Sequence, residues 1–198
     1  MGASEAAVCE LGVAGFCALK ALSKIEDPKI ASMPFDQARA GFVIAEGAAM
    51  LVLEEKEHAM KRGAKIYANY LGAGIANDAY HVTAPAPDGR AAIAAMNEAM
   101  QMAQLKSSDV GYISAHATST KIGDSIELLA VKKLFAQQWD ELAVSSIKGA
   151  IGHALGAAGA IEAVMAVLSL YHQKILPTIN LSNVDEEAFL DGKCLNLV

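Results

Sequence analysis

The sequence predicts an α/β fold built on a parallel sheet with helices on both faces, and two observations predict it. Short apolar runs alternate with helical patterns, and two consecutive units in the second half share one strand–loop–helix layout. The chain is also long enough, at 198 residues with 54% hydrophobic, to bury a substantial core.

Residues Gly2 to Lys20 are small and apolar, and Leu22–Gly41, with two prolines, is a connecting loop. FVIAEGAAMLVLEE (42–55) is then a buried strand, and EEKEHAMKRG (54–63) a charged helical turn ending on Gly63. AKIYANYLGAGIAND (64–78) is a second strand run, and DAYHVTAPAPDG (78–89) a loop. RAAIAAMNEAMQMAQL (90–105) is helical, with Ile93, Met96 and Met100 on one face as core filler. The first repeated unit is VGYISA as strand, HATSTKIG as polar loop and DSIELLAVKKLFAQQ as helix. The second is ELAVSS, IKGAIGH and ALGAAGAIEAVMAVLSLYHQ in the same roles.

Composition narrows the function. The net charge of −6 with scattered Lys and Arg argues against a nucleic-acid footprint. Cys9, Cys17 and Cys194 are odd in number and form no CxxC pair, which favours free thiols in a reducing compartment. No targeting segment is expected within this chain. The most apolar stretch, Ala154–Tyr171, holds Glu162, which in a bilayer costs roughly 2.5–3.5 kcal/mol. It is expected to be a buried helix rather than a membrane span.

Both repeated units place a histidine, His116 and His153, just past the carboxyl end of a strand, where parallel sheets form their ligand crevice. If the strands are neighbours, both imidazoles face one cavity. His58 is read as solvated, His81 as part of a Pro-rich loop and His172 as near a helix end. Lys148 shares the loop of His153, and a nearby cation keeps an imidazole neutral. Glu162 has no partner three or four residues away; either it pairs with Lys148 or it reaches solvent at a helix edge. The glycines Gly149, Gly152, Gly156 and Gly159 fail both the GxGxxG and the Walker spacing, so close helix packing explains them better. No metal-ligand spacing occurs.

AHATSTKIGDSIE and SSIKGAIGHALGAAGAIEA resemble the two histidine motifs of β-ketoacyl-ACP synthases, the condensing enzymes of fatty-acid synthesis. The resemblance extends through AGFVIAEGAAMLVLEEKEHAMKRGAKIYA, DAYHVTAPAPDG and LPTINL, and is nearest to the elongating, mitochondrial form. It implies a thiolase-like, five-layer αβαβα fold. Residues 1–36 would be the tail of the N-terminal half and a connecting loop, and 37–198 most of the C-terminal half, truncated at its end. The implied reaction is a decarboxylating Claisen condensation of malonyl-ACP with an acyl thioester. By resemblance, His116 and His153 are the active-site histidines, Lys148 holds their network and Glu162 supports it. Thr118 and Thr120 contact the phosphopantetheine arm, Phe16 lies near the acyl tunnel, and Lys20 near the docking surface for acyl carrier protein. No cofactor beyond that carrier-bound arm is implied, and a homodimer is. The implied location is mitochondrial, with a bacterial-type cytoplasm as the alternative.

The chain also departs from the pattern. The family's nucleophilic cysteine belongs upstream of Gly2–Glu5, and none of Cys9, Cys17 and Cys194 occupies its context. The family's glycine-rich closing motif belongs after Val198. Lys121 stands where proline is usual, Ile147 and Ile151 replace hydroxyl residues, and Ala40 replaces an acid. This chain alone is therefore expected to lack full turnover. The alternatives are a non-catalytic partner of a complete synthase, which would have no use for the histidines and lysine, and a nucleotide-binding module, which the glycine spacing disfavours.

Overall fold

The computed structural model describes all residues, 1–198. Strand β1 (Gly2–Glu5) precedes helix α1 (Glu10–Ala18) and pairs antiparallel with β2 (Gly47–Met50), from Gly2↔Met50 to Glu5↔Gly47. Helices α2 (Lys56–Lys61) and α3 (Arg90–Ala103) follow. Next come β3 (Tyr112–Ser114), α4 (Lys121–Phe135), β4 (Ala143–Ser145), α5 (Lys148–Ile151) and α6 (Ala158–His172). A short hairpin of β5 (Phe189–Leu190) and β6 (Lys193–Cys194) leads into β7 (Asn196–Leu197).

The two repeated units do place their strands side by side. β3 and β4 run parallel in the register Tyr112↔Ala143 to Ser114↔Ser145, and β7 flanks β4 on its other edge. One core joins Leu128, Val131 and Phe135 of α4 to Val144, Ala115, Ala117, Leu142 and Trp139. The half-buried Met96 and Met100 of α3 pack against it, as their helical spacing predicts. The Trp139 indole is 1% exposed and donates to Ala188 O at 3.2 Å, so the aromatic body and its polar group are both satisfied.

Three expectations change. Residues 64–78 form no strand, although their apolar pattern suggests one. Lys65 and Tyr67 meet Tyr171 of α6, and residues 72–75 lie on α3: a Cβ on Gly74 would stand 1.8 Å from Ala95 O, and one on Gly72 2.7 Å from Ala99 O. A helix offers no free backbone ladder, so extended chain on its surface stays unpaired; Ile75 N donates to the Glu98 carboxylate at 2.9 Å instead. The expected strand 42–55 shrinks to β2 plus single parallel bridges at Phe42 and Ile44. Finally, α6 is half-buried rather than buried, with only Ala158 and Ser169 fully enclosed. By length and composition, Leu155–His172 meets the requirement for crossing a membrane, but its central Glu162 is ion-paired inside the protein.

Helix boundaries also shift for local reasons. α4 starts at Lys121, three residues before the expected Asp124, while Leu155–Ala157 forms a 3-10 turn that delays α6 to Ala158.

Candidate active site

The register of β3 with β4 brings the two loops together, and with them the two imidazoles. The rings of His116 and His153 meet edge to face, with centroids 5.1 Å apart and an interplanar angle of 84°. His153 is fixed from outside the sheet: its N–H donates to Val43 O at 2.8 Å, and its carbonyl accepts from Ala45 N at 3.0 Å. Phe42 covers its ring edge to face at 5.1 Å, and Phe16 covers Phe42 at 5.5 Å. Phe16 therefore reaches the histidines only through Phe42.

Lys148, at 1% exposure, lies beside the His116 ring. A surface lysine is ruled out, and the open question over Glu162 closes, because the Lys148 ammonium binds the Glu162 carboxylate directly. The same Nζ donates to His116 O at 2.6 Å and lies 3.4 Å from His116 Nδ1. Burial pushes the Glu162 carboxyl above its usual value, and the ammonium opposes that rise.

Electrostatics make both rings neutral. His116 is exposed at the cleft, while its ring packs against the His153 ring and the Lys148 ammonium, and its pKa falls from 6.5 to about 4. Burial leads the causes, followed by the charges of Lys148 and His153. His153 falls to about 4 through burial and then Lys148. The hydrogen bonds assign the tautomers. Lys148 faces Nδ1 of His116, and Leu155 N donates to Nδ1 of His153 at 3.3 Å, so each ring carries its proton on Nε2. The result is a pair of neutral N–H donors.

Both histidines line a cleft of about 1450 Å³, together with Thr118, Thr120 and Lys20. Thr118 Oγ1 and Thr120 Oγ1 are 3.1 Å apart. His81, set aside in the sequence, lines the same cleft, and its Nδ1 accepts from Thr83 N and Ala84 N at 3.2 Å. His58 is solvated as expected, with its ring 67% exposed, and His172 ends α6. Neither enters the cleft, and no cysteine lines it.

Sequence reasoning missed the residues that hold the His116 loop. Glu127 accepts the backbone N–H groups of His116 (2.8 Å) and Ala117 (2.7 Å), and burial raises its carboxyl to about 7 against those bonds. Asp124, 0% exposed, accepts from Thr118 N and Phe35 N at 3.0 Å and Thr120 N at 3.2 Å. Their signal was available: two acids three residues apart in the early turns of a helix sit where free N–H groups need acceptors. Arg39, buried beside them, lay in a stretch that reads only as loop.

Two family models divide the chain. The beta-ketoacyl synthase N-terminal domain matches residues 1–59 and the C-terminal domain matches 67–182. The chain belongs to the beta-ketoacyl synthase family. This synthase chain is 47% identical over 192 residues to the 3-oxoacyl-acyl-carrier-protein synthase 2 of Vibrio harveyi, covering 96% of the chain and 46% of that protein. It is 47% identical over 188 residues to the mitochondrial 3-oxoacyl-acyl-carrier-protein synthase of Arabidopsis thaliana, covering 93% of the chain and 41% of that protein. The synthase chain thus spans about half the length of the curated relatives it matches. Among solved structures it superposes with a TM-score of 0.91 and 41% identity on a type II polyketide ketosynthase in complex with its acyl-carrier protein. That match covers 100% of the chain and 50% of its counterpart. A beta-ketoacyl synthase from Burkholderia phymatum gives a TM-score of 0.87 at 38% identity, over 99% of the chain and 45% of that structure. The α/β fold is therefore the thiolase-like one of the ketosynthases.

Proposed function

We propose that this chain supplies the decarboxylating half of a 3-oxoacyl-ACP synthase in fatty-acid elongation. The observation that carries the reading is the pair of neutral imidazoles of His116 and His153, packed edge to face, each protonated on Nε2 and lining one cleft. When a malonyl thioester loses carbon dioxide, the electron pair of the breaking C–C bond moves into an enolate whose charge rests on the thioester oxygen. Two fixed N–H donors stabilise that oxygen more than the ground-state carbonyl, each by roughly 3–4 kcal/mol. The enolate carbon then attacks an acyl thioester, forming the new C–C bond and expelling a thiolate. The acceptor of that acyl group is not among the cleft residues of this chain.

Burial would keep both imidazoles neutral with Lys148 adding to that effect, Glu162 would neutralise Lys148, and Thr118 and Thr120 would bind the amides of a phosphopantetheine arm. Lys20 at the cleft mouth would meet an acidic carrier protein, and Phe16 would border the acyl chain through Phe42. Carbon dioxide release drives the reaction, so the reading calls on no metal or prosthetic group. The carrier-protein partner is supported by the ketosynthase complex above, whereas the homodimer rests on resemblance. A mitochondrial location is supported by the plant relative, to which the bacterial relatives are equal in identity.

The test is release of labelled carbon dioxide from malonyl-ACP. His116→Ala and His153→Ala should each lower the rate by about 10²–10³-fold. Full activity in either variant would sink the assignment. Incubation with radiolabelled acyl-ACP should leave no stable thioester on Cys9, Cys17 or Cys194.

A further inference from the structure

Arg39 is 1% exposed and every direction of its guanidinium is occupied. Nε donates to Thr120 O at 3.0 Å; Nη1 donates to Asp36 O at 2.9 Å and to the Asp185 carboxylate; Nη2 donates to Lys121 O at 2.9 Å and Ser125 Oγ at 2.8 Å. Asp124 Oδ2 lies 3.7 Å from Nε. Asp36 in turn accepts the N–H groups of Ala38, Ser182 and Asn183. One side chain therefore ties together residues 36–39, 120–125 and 182–185.

Stability alone does not explain such a group, because an apolar side chain of similar volume stabilises a core as well as a buried ion cluster does. What a guanidinium adds is geometry: a planar fork with fixed donor directions. Two of those directions end on the carbonyls of Thr120 and Lys121, directly after the two threonine hydroxyls. Between the threonines, Ser119 is 0% exposed and held at φ 68, a left-handed conformation that a non-glycine residue keeps only when its surroundings impose it. Met33 N donates to its hydroxyl at 3.0 Å and Gly41 N to its carbonyl at 2.9 Å, so residues on both sides of Arg39 complete the clamp.

We infer that Arg39 is the positioning residue of the pantetheine site, locking the Thr118–Thr120 turn so that its two hydroxyls stand ready in the cleft for the amide groups of a pantetheine thioester. This rests on the reading of Thr118 and Thr120 given above. Arg39 touches no substrate itself; it acts through the backbone that carries the hydroxyls.

The experiment titrates S-acetyl-pantetheine into the whole chain and compares Arg39→Lys, Ser125→Ala and Thr118→Val by dissociation constant. Trp139 emission reports the core, and the imidazole resonances of His116 and His153 report the catalytic pair. Arg39→Lys, which loses the fork, should bind about tenfold more weakly, and Ser125→Ala, which loses one anchor, about threefold, with emission and imidazole resonances unmoved. Wild-type affinity in both, alongside weakened binding by Thr118→Val, would overturn the inference while leaving the threonine reading intact. Wild-type affinity in Thr118→Val, or no binding by the unmodified chain, would overturn that reading and the inference with it. Weakening accompanied by shifted imidazole resonances would mean general loosening and would also overturn it. Should Arg39→Lys fail to fold, Ser125→Ala decides.

Discussion

Replacing Lys148 with methionine keeps most of the side-chain volume and removes the charge that bears on both imidazoles. His116 and His153 each fall from 6.5 to about 4, and burial is the first cause in both. The lysine therefore accounts for less than half of that interval, about one pH unit per ring. A bare charge 3.4 Å from the ring would do more, but the Glu162 carboxylate bound to the same ammonium cancels much of its field. In Lys148→Met both imidazole midpoints, followed by NMR across pH 3 to 8, should move up by about one unit. The orphaned Glu162 should take up a proton, and breaking the buried pair should cost on the order of 3–5 kcal/mol. Lys148→Met/Glu162→Gln should recover part of that stability and show the same midpoints. Midpoints that stay in place or move down would refute a contribution of Lys148 to the lowered ring pKa values.

Glu127→Gln leaves one acceptor oxygen for two N–H donors and should destabilise the protein by about 1–3 kcal/mol in urea unfolding. Two opposed contributions to the pH dependence of stability should overlap between 4.5 and 6.5. The depressed histidines contribute stability present above 6.5 and lost as pH falls toward about 4, whereas the raised Glu127 contributes stability present below 4.5 and lost as pH rises through about 7. Melting temperatures of Glu127→Gln should therefore rise more steeply with pH across that window than those of the unmodified chain. Phe42→Ala removes the ring that covers His153 and should cost about 3–5 kcal/mol and broaden the His153 ring resonances. Gly74→Ala drives a methyl against the Ala95 carbonyl and should lower stability by about 1–3 kcal/mol; an unchanged melting temperature would mean that residues 72–75 do not lie on α3.

What the sequence made legible follows physical scale. His116, His153, Lys148 and Glu162 stood out because polar groups among Gly, Ala and aliphatic residues need partners, and the strand–loop–helix repeat fixed where they meet. Phe42 and Arg39 did not, because their partners come from elements remote in the chain and local pattern carries no trace of them. Asp124 and Glu127 fell between these cases: their helix was foreseen, but not that they would reach back to the loop before it. The failed strand at 64–78 has a similar cause. Apolar alternation records that a segment lies on a surface, and here that surface is a helix rather than another strand.

The alignment of β3 with β4 has a further consequence. Side chains alternate in direction at every residue of a strand, so a one-residue slip between Tyr112↔Ala143 and Ser114↔Ser145 reverses what each strand presents. The meeting of the two imidazoles is thus a counted distance along the chain as much as a choice of side chains. Variation at this site should then be uneven. Exchanges of one residue for another can spread through the sheet, while a single insertion or deletion between Tyr112 and His116 would part the rings with every catalytic residue still in the sequence.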